Sequence, residues 1–287
     1  MLEILFFIVA IIGSAAAGFY DLKTTEIPDE IPYVMIVIGI VGHVIKSYLV
    51  WSYWPFLLSS IIGLSYLAFG FIMYYIGQWG GGDAKILSAI GFLVPILPQQ
   101  LNIELFFPFP LSFFFNLFLV GAIYMVIYAF VLSFINKKIW TAFFMDLKAN
   151  ARMILIYNSA LVASIILMGL LFARYLEFLP LTTFPVLVLT VGITSAGLYV
   201  LWKFVKAVEV VGFKKRIPVS RLRVGDVPDY FKKWEGISEK EMRKIKKSGK
   251  KYIWIKEGVR FAPAFPLALI FTLVFGDGIL VLMNLFV

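Results

Sequence analysis

Eight apolar runs dominate the chain, and shorter polar stretches separate most of them. Each run is close to the roughly 20 residues that an α-helix needs to cross a bilayer. The pattern therefore predicts an all-α polytopic membrane protein with about six to eight transmembrane helices. The runs cover about 3–20, 31–50, 55–77, 83–98, 111–135, 153–173, 185–205 and 263–286.

Three stretches of this pattern affect the helix count. Residues 98–112 are apolar enough to dip into the membrane without crossing it. The sixth and seventh runs predict a helical hairpin that turns around Arg174–Phe184. Residues 136–152 mix aromatic and basic side chains, which is typical of backbone that lies along the membrane interface.

One long hydrophilic stretch, residues 206–260, interrupts the apolar pattern, and we call it the basic segment. Its run Ser238–Glu241 is a capping box that predicts the start of a helix, and Gly249 predicts the end of that helix. Alternating polar and apolar side chains predict short strands at 221–224 and 252–255. The predicted organisation is a transmembrane domain at 1–205, a small α+β domain at 206–260 and a final transmembrane helix at 263–286.

The composition supports a membrane protein and removes several kinds of chemistry. Of the 287 residues, 61% are hydrophobic and only 15% are charged, whereas about a quarter are charged in a typical soluble domain. Cysteine is absent, so zinc-thiolate sites and Cys nucleophiles are excluded. A single histidine is too few for a His-based metal cluster, and this residue, His43, is predicted to be packed or hydrogen-bonded. Catalysis would have to use carboxylates, Lys, Tyr, Ser or Thr.

The excess of positive charge predicts the orientation of the chain. Lys and Arg number 26 against 17 Asp and Glu, and 18 of those cations lie between Lys203 and Arg260. Cytoplasmic loops carry an excess of Lys and Arg, so the basic segment is predicted to be cytoplasmic, with both chain termini outside. Beside a membrane, such a segment faces anionic lipid more often than nucleic acid, and no nucleic-acid partner is expected.

Three carboxylates lie against or inside apolar runs: Asp21, Asp83 and Asp277. Ionisable groups at membrane depth are costly and usually have a function. Asp21 ends the first run and Asp83 begins the fourth, so the predicted topology puts both at the cytoplasmic face. Asp277 lies roughly 20 Å from that face at 1.5 Å per residue, and is predicted to have a structural role.

The residues alone leave two interpretations of Asp21 and Asp83 open. Two nearby carboxylates share one proton, as the acid and the base of an aspartic peptidase do. Alternatively, Asp83 caps a helix and Asp21 is a solvated residue beyond a helix end. The run Gly80–Gly82 favours the pair, because glycine permits backbone conformations that side chains forbid. It predicts a joint at which Asp83 moves toward Asp21.

The sequence around the two aspartates follows a known pattern. The first run is Asp21-Leu22-Lys23-Thr24-Thr25-Glu26-Ile27-Pro28-Asp29, and the second is Gly80-Gly81-Gly82-Asp83-Ala84-Lys85. In this order and membrane context, the two runs resemble the motifs of the type IV prepilin peptidases, which are membrane aspartic peptidases with a G-x-G-D motif. Residues 255–263 resemble the C-terminal part of the archaeal branch, the preflagellin and prepilin peptidases.

The resemblance implies a membrane aspartic endopeptidase that removes short basic leaders from preflagellins or type IV pilin-like precursors, without a cofactor or a metal. It implies that Asp21 and Asp83 are the catalytic pair. The implied partners are those precursors and membrane lipids, and the acidic residues Glu26, Asp29 and Glu30 are candidate contacts for the leader. The supporting motif residues are Gly80, Gly81, Gly82, Lys85, Lys23 and Pro28, of which Lys85 either neutralises a carboxylate or contacts a lipid phosphate.

Two features of the chain depart from the family pattern, and one short match extends it. The absence of cysteine means that no methyltransferase activity is expected. The pair of runs at about 153–205 has no place in the six-helix core of the archaeal enzymes. The run Pro263-Ala264-Phe265 is similar to the Pro-Ala-Leu motif of presenilin-type relatives, whose last helix approaches the catalytic pair.

Two other classes of function use the same residues. In a cation- or proton-coupled carrier, Asp21 and Asp83 would bind the ion, but carriers usually hold such groups near the middle of the bilayer. In a non-catalytic assembly subunit, the two aspartates would only cap helices. The peptidase is the main prediction, because both aspartates are predicted to lie at one membrane face.

Overall fold

The computed structural model describes residues 2–172, 183–231, 236–256 and 258–285. The chain forms two compact units, of which the first combines Met1–Ile127 with Arg216–Val287 and the second is Tyr128–Lys215. The helices are α1 (Leu2–Thr24), α2 (Glu30–Leu49), α3 (Trp54–Tyr75), α4 (Gly81–Leu93), α5 (Phe109–Ile135), α6 (Lys138–Phe172), α7 (Thr183–Ala207), α8 (Glu239–Lys247), α9 (Ala264–Phe275) and α10 (Gly278–Leu285). The strands are β1 (Lys214–Pro218), β2 (Val227–Pro228) and β3 (Tyr252–Lys256).

The described helices confirm a polytopic helical membrane protein with a small α+β part. Six of them, α1, α2, α3, α5, α6 and α7, are long and apolar enough to cross a bilayer, judged by length and composition. Two apolar helices at predicted runs are shorter, since α4 has 13 residues and α9 has 12.

The short helix α4 lies in the middle of the first unit. It packs against α1, α2 and α3, and every one of its residues from Ile86 to Leu93 is buried. Its neighbours approach closely because they carry glycine at the contacts. A Cβ atom on Gly39 would lie 2.8 Å from the carbonyl carbon of Phe92, and one on Gly70 would lie 2.7 Å from the Cα of Ala84. Small residues at helix interfaces are a common basis of packing in membranes.

The last predicted helix, 263–286, is interrupted in the structure. Helix α9 ends at Gly276, whose φ of 68° lies in the left-handed region, and α10 begins at Gly278. Asn116 of α5 satisfies the backbone groups that the break leaves open. Its Nδ2 donates to the Gly276 carbonyl at 2.7 Å, and its Oδ1 accepts from the Gly278 amide at 2.9 Å. Irregular backbone at membrane depth is tolerated where protein groups satisfy it in this way.

The second unit contains the α6–α7 hairpin. Asn158 of α6 donates to the Gly192 carbonyl of α7 at 3.0 Å and to the Ser195 hydroxyl at 3.1 Å. Most of the predicted interfacial stretch 136–152 is the first part of α6, which has 35 residues. Most of the predicted turn around Arg174–Phe184 lies outside the described residues.

The basic segment contains a three-stranded sheet in the order β1-β3-β2, with β2 and β3 antiparallel. The capping box at α8 is present. The Ser238 amide donates to Glu241 Oε2 at 2.8 Å, which lowers the pKa of that carboxyl. Gly249 follows the helix with a φ of 73°, as predicted for a helix stop. The strand predicted at 252–255 is confirmed as β3.

The strand predicted at 221–224 is absent from the described residues, and a turn occupies that place. The amide of Arg223 donates to Asp226 Oδ2 at 2.7 Å, and Gly225 has a φ of 95°. A side-chain acceptor three residues ahead and a left-handed glycine favour a turn over an extended strand. The alternation of side chains there was therefore misleading, and strands form on either side of it instead.

Candidate active site

Asp21 lies in the last turn of α1 and is 6% exposed. Its Oδ2 accepts a hydrogen bond from the backbone amide of Ala262 at 3.0 Å. The residues before α9 reach Asp21 because Gly18, one turn earlier in α1, has no side chain. A Cβ atom on Gly18 would lie 3.0 Å from the Cα of Pro263. The segment that begins at Pro263 therefore approaches the first aspartate, as its similarity to a Pro-Ala-Leu motif implied.

Asp83 is the third residue of α4 and is also 6% exposed. Its Oδ2 accepts from the Gly80 amide at 3.0 Å, which satisfies one of the free amides at the helix start. Its other oxygen, Oδ1, is buried and has no hydrogen-bond partner in the described part of the chain. Such an oxygen is unusual, because buried polar atoms are nearly always bonded.

The structure brings Asp21 and Asp83 together. Both are buried in the same unit, and they lie close enough for their charges to interact. Asp83 does fill a capping position, but this contact engages only Oδ2. The capping interpretation and the paired interpretation are therefore compatible in this chain.

The glycines before Asp83 do not use the left-handed conformations that glycine permits. Gly80 has a φ of −75°, and Gly81 and Gly82 are the first two residues of α4, which thus begins two residues earlier than predicted. The close approach of neighbouring side chains explains the run of glycines better. A Cβ atom on Gly82 would lie 3.0 Å from the Cβ of Ile27, and one on Gly80 would lie 3.2 Å from Asp83 Oδ2. The predicted movement at this joint stays a prediction.

Lys85 pairs with a carboxylate of the first motif. Its Nζ lies 2.6 Å from Asp29 Oδ1 and 5.2 Å from the centre of the Tyr33 ring. The contact connects the start of α2 to α4, so it joins the two motifs. The ion pair is partly exposed, and such pairs contribute roughly 0–1 kcal/mol.

The remaining residues of the first motif form the connection between α1 and α2. Lys23, Glu26 and Glu30 are exposed, and Pro28 is half-buried with its carbonyl accepting from the Ile31 amide at 3.2 Å. Thr25 has a φ of 62°, so the chain turns sharply directly after α1. The acidic residues of the motif follow this turn, between the end of α1 and the start of α2.

Sequence reasoning missed the contribution of the residues just before α9. The charge of Arg260 acts on Asp21, and Tyr124 of α5 donates to the Arg260 carbonyl at 2.9 Å. The ring of Phe261 lies 5.5 Å from that of Trp79, which directly precedes Gly80. Part of the sequence signal was present, because Pro263-Ala264-Phe265 resembled a motif that approaches the catalytic pair, but nothing in the sequence marked Arg260 or the Ala262 amide as neighbours of Asp21.

His43 and Asp277 lie elsewhere and make structural contacts. His43 Nε2 lies 3.2 Å from the Leu93 carbonyl, in a buried position beside Phe6. Asp277 accepts from the Phe106 amide at 2.6 Å and from the Ser112 hydroxyl. Within the described ranges, no group of three or more His, Cys, Asp or Glu side chains is placed to hold a metal ion.

The fold and the site together define a polytopic membrane protein with a buried pair of carboxylates. Residues 8–137 match the model of the type IV leader peptidase family. This match contains both motifs, and it confirms the resemblance to the prepilin peptidases. Helices α6 and α7, the basic segment and α9 lie outside it.

Curated relatives carry corresponding names. The chain is 22% identical over 147 residues to the prepilin peptidase EppA of Methanothermobacter thermautotrophicus. The aligned region covers 48% of this chain and 38% of the relative. It is 36% identical over 90 residues to the preflagellin peptidase of Methanocaldococcus jannaschii, and this aligned region covers 31% of this chain and 38% of the relative. It is 32% identical over 137 residues to the preflagellin peptidase of Methanococcus voltae, and this aligned region covers 45% of this chain and 56% of the relative.

The chain thus spans about two fifths to three fifths of the length of these relatives. None of the three is named as a carrier, so the carrier alternative gains no support. No solved structure matches the chain.

Proposed function

We propose that this protein is a membrane aspartic endopeptidase that removes short basic leaders from preflagellins or type IV pilin-like precursors. One observation carries the proposal: Asp21 and Asp83, from motifs far apart in the sequence, are buried within reach of each other's charge. The similarity of residues 8–137 to the type IV leader peptidase family supports it. The names of the relatives support the class of substrate.

The pair supplies the chemistry of peptide hydrolysis. Two interacting buried carboxylates hold one proton between them, so one is ionised and the other is protonated. The ionised carboxylate takes a proton from water as the water oxygen attacks the peptide carbonyl carbon. The protonated carboxyl gives its proton to the carbonyl oxygen. The tetrahedral diol then collapses: the C–N bond breaks, the nitrogen receives a proton, and the products are a carboxylic acid and an amine.

The contacts of the two aspartates leave room for this reaction. Asp21 Oδ2 is held by Ala262, and Asp83 Oδ2 is held by Gly80. Each bond fixes a carboxylate through one oxygen. Asp83 Oδ1 has no hydrogen-bond partner among the described residues, and we propose that this oxygen faces the substrate carbonyl or the attacking water.

The proposed substrate fits the position of the pair. A leader that precedes a hydrophobic helix has its scissile bond at the membrane interface, and Asp21 lies near the end of an apolar helix. We propose that this end faces the cytoplasm, because the basic segment follows the positive-inside rule. Glu26 and Glu30 are exposed nearby and are candidates for contact with a basic leader, whereas Asp29 is already paired with Lys85.

The proposal is tested by leader cleavage in membranes that contain the protein. Asp21→Asn and Asp83→Asn should each lower the cleavage rate by about a thousandfold or more, because proton transfer alone contributes roughly 10²–10⁴. Asp277→Asn is the matched control, since it makes the same change at another buried aspartate. Cleavage that persists in either of the first two variants, at normal membrane insertion, would rule out the paired mechanism.

A further inference from the structure

We infer that Arg260 is a positioning residue that assigns the two roles, making Asp21 the ionised base and Asp83 the protonated acid. This inference rests on the proposed function. It extends that function by dividing the shared proton between two named carboxyl groups. It also gives a task to the residues just before α9, which lie outside the part of the chain that matches the family.

The backbone around Arg260 is held firmly against α1 and α5. Tyr124 donates to the Arg260 carbonyl at 2.9 Å. A Cβ atom on Gly121, one turn before Tyr124, would lie 2.8 Å from the ring of Phe261. Two residues after Arg260, the Ala262 amide donates to Asp21. The backbone of the short segment from Arg260 to Ala262 is therefore fixed at both ends next to Asp21, and the charge of Arg260 acts on Asp21.

The surroundings of the two carboxylates are unequal. Among the described residues, Arg260 and Asp83 are the charged groups that act on Asp21 from other elements, and Arg260 together with the Ala262 amide favours the ionised form. Asp83 interacts with the Gly80 amide and with Asp21, which has the same sign of charge. Lys85, the cation on the helix of Asp83, is engaged by Asp29. Lys23, the cation nearest to Asp21 on α1, is exposed.

The unequal surroundings fix the direction of proton transfer. A cation beside one member of a carboxylate pair stabilises the negative charge on that member. The shared proton then resides on Asp83, so Asp21 takes the proton from water and Asp83 protonates the carbonyl oxygen. Without the charge of Arg260, a larger fraction of the molecules has both carboxyl groups protonated at a given low pH. The doubly protonated form has no base to take a proton from water.

The experiment compares pH profiles of leader cleavage for the wild type and three variants. Arg260→Gln removes the charge and should move the acid limb of the kcat/KM profile to higher pH by about one unit. Arg260→Lys keeps the charge and should restore the profile to within a few tenths of a unit. Arg221→Gln is the matched control, because Arg221 is an exposed cation of the same basic segment, and its profile should match the wild type.

The outcomes separate this inference from the proposed function. If the wild type does not cleave leaders, the proposed function fails. If the wild type cleaves and Arg260→Gln shows an unshifted acid limb, the inference alone is overturned. If Arg260→Gln is inactive throughout, a wild-type profile in Arg260→Lys supports the role of the charge. Inactivity of both Arg260 variants, with normal insertion, would instead show a packing role and overturn the inference.

Discussion

At the scale of single residues, the glycines around the site matter as much as its carboxyl groups, because a glycine has no Cβ atom and lets a neighbouring backbone come close. In the proposed mechanism Asp21 and Asp83 supply the chemistry, and glycines set how closely the neighbouring elements approach them. Gly18 admits the backbone at Pro263, and Gly70 admits the backbone of α4 at Ala84. Each contact lies within one turn of an aspartate. A methyl group at either position would therefore displace the element that carries or holds a carboxylate.

Gly70→Ala tests this packing directly. The new Cβ would lie 2.7 Å from the Cα of Ala84, next to Asp83, so α3 and α4 must separate. Overpacking of this kind costs about 1–3 kcal/mol, and we expect at least a tenfold loss of leader cleavage. Thermal unfolding in detergent and the cleavage rate measure the two effects.

Gly197→Ala is the matched control for that change. Gly197 lies in α7, and a Cβ there would meet nothing within 4 Å, so stability and cleavage should stay at the wild-type level. Wild-type cleavage by Gly70→Ala would show that the spacing of α3 and α4 does not control the site.

At the scale of elements, the breaks between helices define the polar sites. Asp21 lies just before the sharp turn at Thr25, Asp83 lies just after the loop that ends at Gly80, and Asp277 lies between α9 and α10. Free backbone amides occur at such breaks, and each aspartate accepts from at least one amide. The difference is that both oxygens of Asp277 are bonded, whereas Asp83 Oδ1 has no hydrogen-bond partner in the described part of the chain.

Asp277 should therefore affect stability and not catalysis. Asp277→Asn keeps an acceptor for the Phe106 amide, and cleavage should stay within about twofold of the wild type. Asp277→Leu removes the acceptor of the part-buried Phe106 amide and of the buried Ser112 hydroxyl, which costs roughly 1–3 kcal/mol and should appear as a lower unfolding temperature. Loss of cleavage in a stable Asp277→Asn protein would instead place Asp277 in the reaction.

At the scale of the whole molecule, charge distribution predicts the orientation. The basic segment holds most of the Lys and Arg residues, so the positive-inside rule places it, and the ends of α1 and α4 that carry the aspartates, in the cytoplasm. Because the chain has no cysteine, single introduced cysteines report on one position each.

A membrane-impermeant thiol reagent should label a cysteine at Ser52 from the outside of intact cells. A cysteine at Ser238 should react only after the cells are opened. We expect at least a tenfold difference in labelling between the two positions in intact cells. The reverse pattern would invert the orientation and exclude a substrate whose leader is cytoplasmic.

The sequence predicted those features of the fold and the site that depend on distinctive side chains. Two aspartates against apolar runs were visible, and so was the capping box at Ser238. The Ala262 amide was not predictable, because every residue except proline carries the same donor. Arg260 was one of 18 cations in a basic stretch, and only the folded chain separates it from the rest. The break at Gly276 was hidden because a single glycine is tolerated in an apolar helix.

The bond between Ala262 and Asp21 also has a consequence for the order of synthesis. Its two partners are 241 residues apart, and a ribosome that adds about 5–20 residues per second needs roughly 12–50 s to make that length. Asp21 and Asp83 therefore enter the membrane well before the residues that complete their surroundings. A nascent chain that stops short of Arg260 contains both carboxylates but lacks the cation and the amide beside Asp21. The surroundings of Asp21 are thus complete only after the residues that precede α9 have been made.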